Sequence, residues 1–331
     1  MWIFLPAFYL AVAHIAGDNV AVIPDMAVYL SYDTFISTIL AYIILGAGLA
    51  GVAAWIGIQS KQELSALVKI KYGCWGKRIL AVTVLSVCLP ASALTGGYYA
   101  GQMFQKILLV PQSLAIPLSL LLFSFLAAGY GKEVLKVSNY IALLLIPITG
   151  LMMAATNFNL NTGSITWVNI NWPILIALLG YNIGGMRTIL TIEAAACLAK
   201  QGYKTIFLIT GAKLFEGLFT LAAAQLVLAA GTAGPLALAD IPGIYWGKSI
   251  GCLFHIALFC TFMNTMAPAM MVNARQISAL SGWPFWPSLV FACLLVYLGS
   301  YLQFNYIIQI LSFTGLSMVV FILYTAYLLN K

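Results

Sequence analysis

The chain has 331 residues, of which 63% are hydrophobic and only 7% charged, against about 25% charged in an average soluble domain. So few charges cannot clothe a water-soluble domain of this size, which excludes a cytosolic globular enzyme. The net charge of +7 invites comparison with nucleic-acid binders, until the placement of the cations is considered.

Long apolar runs between short polar breaks predict an all-α polytopic membrane protein with ten transmembrane helices. The spans fall near residues 3–27, 36–58, 79–104, 113–129, 134–154, 172–199, 203–229, 246–275, 284–300 and 305–329. They form a single transmembrane domain over residues 1–331. The alternating segments of roughly ten residues that build an outer-membrane barrel do not stand out. The first run lacks a basic leader region, so no signal peptide is expected. Cys74, Cys88, Cys197, Cys252, Cys260 and Cys293 sit mainly inside apolar runs without metal or redox spacing, and read as packing residues.

Spans one and six are interrupted. The first is broken by His14, Ile15, Ala16, Gly17, Asp18 and Asn19, the sixth by Gly180, Tyr181, Asn182, Ile183, Gly184 and Gly185. With a cytoplasmic N-terminus, the inner ends carry Lys61, Lys69, Lys71, Lys77, Arg78, Lys132, Lys136, Arg187, Lys200, Lys204, Arg275 and Lys331. Only Lys106 and Lys248 fall outside, with Asp25, Asp33 and Asp240. Such an imbalance orients the chain with both termini inside. The basic excess is therefore topological, and no nucleic-acid partner is expected.

Spans six to ten repeat the starts of spans one to five at a near-constant offset of about 170 residues. This suggests a duplicated five-helix unit, repeat one over 1–155 and repeat two over 170–331. Five being odd, the second copy enters from the opposite side, giving a 5+5 inverted repeat. Both breaks fall on the first helix of their unit. Broken helices expose N–H and C=O groups that are tolerated at membrane depth only where they line a cavity or meet a ligand. Matched breaks point to a midplane substrate site; the competing reading is that the glycines allow close helix packing.

This layout resembles the LeuT-type fold of the amino acid–polyamine–organocation (APC) superfamily and, in its short length, the YkvI-type family of bacterial membrane proteins. The residues that carry the resemblance are Ile15 to Asn19, Gly180 to Asn182, and Cys260 to Thr265. Span one departs from the usual pattern, with Gly17-Asp18-Asn19 where a run ending Gly-Gln-Glu is expected.

Asp18 and Asn19 could meet a cation or a substrate amine, and Asp18 could carry a proton; it could equally cap a helix toward water. Unwinding at 180–185 would offer a positive helix end to a carboxylate and free carbonyls to a cation. Ala16, Gly17, Gly180, Tyr181, Asn182 and Gly184 complete the candidate substrate contacts, and the pairing of receptors favours a zwitterion. Ser92, Thr95, Tyr99 and Gln102 share one face of span three, either bonding to other helices or lining the cavity. The resemblance implies that span three flanks the substrate, with a tyrosine such as Tyr99 capping it.

Thr261, Asn264 and Thr265 share a face of span eight. The resemblance implies that hydroxyls here meet span-one carbonyls around Na⁺; interhelical bonding is the alternative. His255 reads as a satisfied interior side chain. Lys213 and Glu216, three residues apart, read as a neutralising pair, with Glu216 a proton-coupling candidate. Arg187 and Glu193 lie on different faces. Residues 141–153 of span five hold no lysine to replace a bound cation. Without a phosphate loop, HExxH or metal cluster, no enzymatic activity is expected, and no cofactor beyond a candidate Na⁺.

The expected protein is an ion-coupled secondary transporter of a small amino acid or related zwitterion in a bacterial inner membrane, Na⁺ being favoured over H⁺. Spans one, two, six and seven would rock against three, four, eight and nine, as the resemblance implies. The rivals are an amino-acid-sensing subunit similar to spore germinant-receptor subunits, and a passive channel. Substrate identity and oligomeric state are not legible.

Overall fold

The computed structural model describes residue 23 and residues 30–155, 167–181, 186–232 and 236–330. The predicted span one lies almost entirely outside them, as does the second half of the span-six break. Every element among the described residues is helical.

Span two is α1 (Tyr32–Ser60). Span three belongs to a longer rod: α2 (Leu64–Ser92), a π-helical segment (Ala93–Tyr99) and α3 (Ala100–Leu108). Span four is α4 (Gln112–Ala127), and span five is divided into α5 (Lys132–Ala142) and α6 (Leu145–Ala155). Span six is α7 (Trp172–Leu179) and α8 (Met186–Cys197). Then come α9 (Tyr203–Ala230), a short α10 (Ala237–Trp246) that the hydropathy did not announce, and α11 (Lys248–Ser281). The last two spans are α12 (Phe285–Gly299) and α13 (Phe304–Leu329).

Six of these helices or continuous rods are long and apolar enough to cross a bilayer, which makes this a multi-pass membrane protein. The 16 residues of α4 and 15 of α12 reach only about 24 and 22 Å at 1.5 Å per residue. That falls short of a hydrocarbon core of about 30 Å. Ten full-length spans are therefore not found among the described residues.

Two groups of helices form the bundle. In one, α1 packs against α8 and α9. In the other, α11 is the axis, touching α2, α4, α5, α10 and α12. Burial ranks the helices in the same way: 72% of the most apolar stretch of α11 is inside the protein, against 28% for α13. The peripheral α13 joins the groups by packing on α7, α1 and α2. Thr38 connects α1 to the start of span six, donating to the Thr34 carbonyl at 2.6 Å and accepting from Asn171 N–H at 3.0 Å. Asn171 in turn caps α7 by accepting from Ile174 N–H at 3.2 Å, relieving one orphan donor of the helix start.

Two sharp elbows recur about 170 residues apart. The first residues of α2 are set off from the rest by Gly73, at φ 67° and ψ −162°. The short helix α10 is set off from α11 by Gly247, at φ 86° and ψ 172°. Both conformations belong to a region that residues with a Cβ essentially never occupy. The elbows sit at opposite ends of the span-three rod: Gly73 near its beginning, and α10 beside its far end through the pairing of Asp240 with Lys106.

Candidate substrate site

The π segment of span three stands at the centre of the site. Pro90 lies just before it and has no N–H to continue the α-helical ladder, and π turns are common at functional positions. The segment changes the register that a straight helix would impose on the polar stripe. Ser92 accepts from Asn273 Nδ2 of α11 at 3.0 Å. Thr95 instead bonds to the hydroxyl of Tyr181, in the break of span six. Both Thr95 and Tyr181 are buried. Tyr99 is fully buried and stands edge-on to Tyr98, ring centroids 5.2 Å apart. The predicted single face is thus split between α11 and span six.

Gly180 approaches α13 so closely that a Cβ on it would lie 2.3 Å from the Gly315 Cα. Its side-chain position therefore serves helix contact, and what it can offer a ligand is backbone. Of the other predicted substrate residues, Ala16, Gly17, Asp18, Asn19, Asn182 and Gly184 lie outside the described residues.

The span-eight trio divides as well. Thr261 and Thr265 are both buried. The Thr261 hydroxyl donates to the Leu258 carbonyl at 2.7 Å, which leaves its lone pairs for an electrophile. Asn264 turns to span five, its Oδ1 accepting from Ser138 Oγ at 2.6 Å. Pro268, four residues on, has no N–H to give the Asn264 carbonyl. Two hydroxyls and a carbonyl of this kind are the oxygen donors that a hard cation prefers. Among the described residues no cluster of His, Cys, Asp and Glu could hold a metal ion.

Lys213 and Glu216 form the ion pair expected from their spacing, at 2.8 Å, with side chains 6% and 0% exposed. Lys213 also reaches the Tyr42 hydroxyl of α1 at 3.3 Å and stands 5.3 Å from the centre of its ring. The pair thus fastens α9 to α1. Leaving either charge alone in such surroundings costs about 3–5 kcal/mol.

At the far end of the span-three rod, Asp240 Oδ1 lies 2.5 Å from Lys106 Nζ and 3.5 Å from His255 Nε2. Half-burial pushes the Asp240 carboxyl up, yet the bonds from His255 and Lys106 outweigh it and hold the group below its ordinary value. His255 was expected to be a satisfied interior side chain. It is instead 18% exposed, and its Nε2 faces Asp240 Oδ1 at 3.5 Å, a long contact. Sequence spacing could not have paired these three: Lys106 and Asp240 are 134 residues apart. Nor could it have found the partners Thr95, Ser138, Asn273 and Tyr42.

The fold has a counterpart among known structures. The chain superimposes on a solved structure described as the inward facing conformation of Mhp1, with a TM-score of 0.62 and 13% identity, over 96% of this chain and 73% of that one. At that identity the likeness establishes the fold, which is LeuT-like. No protein-family model and no curated protein matches the sequence.

Proposed function

We propose that the protein is a secondary active transporter, taking a small amino acid or related zwitterion between broken spans one and six by alternating access. The observation that carries this reading is the bond between Tyr181, in the break of span six, and Thr95, in the π segment of span three. Irregular backbone on two neighbouring membrane helices, joined by buried hydroxyls, is what a midplane site requires. The LeuT-like fold supports it, as does the similarity to a structure described as inward facing, since Lys106, Asp240 and His255 tie the opposite end of this molecule together. Within the fold, the motifs at 15–19, 180–182 and 260–265 favour the YkvI-type family of the APC superfamily and a bacterial inner membrane with both termini inside. The 5+5 inverted repeat accounts for the two elbows.

Coupling to Na⁺ is favoured over H⁺ by the oxygens of Thr261, Thr265 and the Asn264 carbonyl. Glu216 is held by Lys213, which makes it a weaker proton carrier than Asp18.

The test is uptake of a labelled amino-acid pool into proteoliposomes under an imposed Na⁺ gradient, a pH gradient, or neither. Saturable accumulation driven by one gradient is expected. Folded protein that accumulates nothing from the pool would favour the sensing-subunit reading. In the same assay Thr265→Val is expected to weaken the Na⁺ dependence while leaving the folded protein intact. An unchanged Na⁺ response would make the span-eight oxygens a packing feature.

A further inference from the structure

The elbow at Gly73 presents an exposed surface away from the candidate substrate site. Before it, Leu64, Leu67 and Val68 are buried in the protein, while Lys69 and Ile70 point out. Ile70 is 69% exposed, and beyond the elbow Trp75 is 74% exposed. Arg78 places its guanidinium 5.7 Å from the centre of the Trp75 ring. Lys77 is half-buried alongside. Lys71 is already engaged, donating to the Leu328 carbonyl at the end of α13 at 3.0 Å, and Tyr72 lies beside Tyr324 of the same helix. These contacts hold the elbow against the end of span ten. Glu63, the nearest acid along the chain, stands within electrostatic reach of Glu193, which also faces Arg275.

An exposed tryptophan and isoleucine among three cations that form no ion pair among the described residues are costly to explain in water and natural at the edge of a bilayer. Indole rings settle at headgroup depth, and each Lys or Arg near an anionic surface adds about 1 kcal/mol of attraction. The other elbow shows what is particular here. Ile244, Tyr245 and Trp246 precede Gly247 and are also exposed, so both elbows carry the same interfacial apolar frame. There the charges offset: residues 237–246 contain no Lys or Arg and carry Asp240, and the one cation beside the glycine is Lys248.

We propose that the Gly73 elbow is a binding site for anionic phospholipid, with Lys69, Lys77 and Arg78 holding the headgroup phosphate and Trp75 and Ile70 lying in the interface beside it. Charge complementarity selects the occupant: a zwitterionic headgroup offers these cations no net attraction.

Native mass spectrometry of the full chain in detergent, titrated separately with phosphatidylglycerol and phosphatidylcholine, tests this. The wild type is expected to retain phosphatidylglycerol in preference, and the preference is expected to fall as salt rises. The triple variant Lys69→Gln/Lys77→Gln/Arg78→Gln should bind phosphatidylglycerol at least about tenfold more weakly, with phosphatidylcholine unchanged. Lys132→Gln/Lys136→Gln should leave the preference as it was. The proposal is overturned if the wild type binds both lipids alike, if the triple variant keeps the preference, or if the Lys132/Lys136 variant loses it equally. Should the triple variant fail to fold, Arg78→Gln and the salt series on the wild type decide: a preference indifferent to both overturns the proposal.

Discussion

The two elbows make the same turn with different charge. Each consists of a short helix, an exposed apolar and aromatic end, and a glycine at positive φ that launches a long buried helix: Gly73 into span three, Gly247 into span eight. Around Gly73 stand cations reaching away from the protein. At the Gly247 elbow the charged groups are one exposed cation, Lys248, and Asp240, which is turned inward to Lys106 and His255. Backbone geometry therefore follows the place of the element in the fold, whereas the charges differ between the two ends of the span-three rod. The proposed role of the Gly73 elbow is to hold the bilayer, while the Gly247 elbow holds the ends of spans three and eight together.

The largest test of that comparison is steric. A Cβ at Gly73 or at Gly247 would meet no atom within 4 Å, so replacing either by alanine charges the fold with backbone strain alone. Gly73→Ala and Gly247→Ala should each destabilise the protein by about 1–3 kcal/mol, read as a lowered thermal unfolding midpoint in detergent. Gly247→Ala should cost the more, since the helix it carries is tied to two spans. Alanine tolerated at both positions would mean that the elbows are not fixed by their glycines, and the parallel between them would fail.

Hydropathy made the membrane helices legible because each must cover most of a bilayer's thickness with apolar side chains. The run at 36–58 became Tyr32–Ser60, and that at 203–229 became Tyr203–Ala230. The ion pair of Lys213 and Glu216 was legible too, because one helical turn brings them together. What resisted reading was whatever depends on a partner helix or on a local change of register. The stripe from Ser92 to Gln102 was projected on a regular helix, and the π segment sends Ser92 to Asn273 and Thr95 to Tyr181. The short α10 is too brief to register as a hydropathy run. The cations of the Gly73 elbow were visible, but a count of positive charges reports only which side they face. It needs the exposure of Trp75 and the bend at Gly73 to show that they form one surface.

The smallest expected effect tests the charge at the Gly247 elbow directly. Asp240 and Lys106 are 47% and 32% exposed, so solvent screening limits the pair to at most about 1 kcal/mol. Asp240→Asn should lower the unfolding midpoint slightly while leaving phosphatidylglycerol retention at the Gly73 elbow untouched. The pH dependence has a definite sign. A carboxyl held below its ordinary value of 3.8 in the folded protein contributes stability that is fully present well above that value. The contribution fades as pH falls below it toward the folded value, because the unfolded form then binds a proton that the folded form still excludes. The advantage of the wild type over Asp240→Asn should accordingly be flat near neutrality and shrink in acid. A constant difference across that range would mean that Asp240 acts through its shape and hydrogen bonds, leaving the difference of charge between the elbows without an energetic role at Gly247.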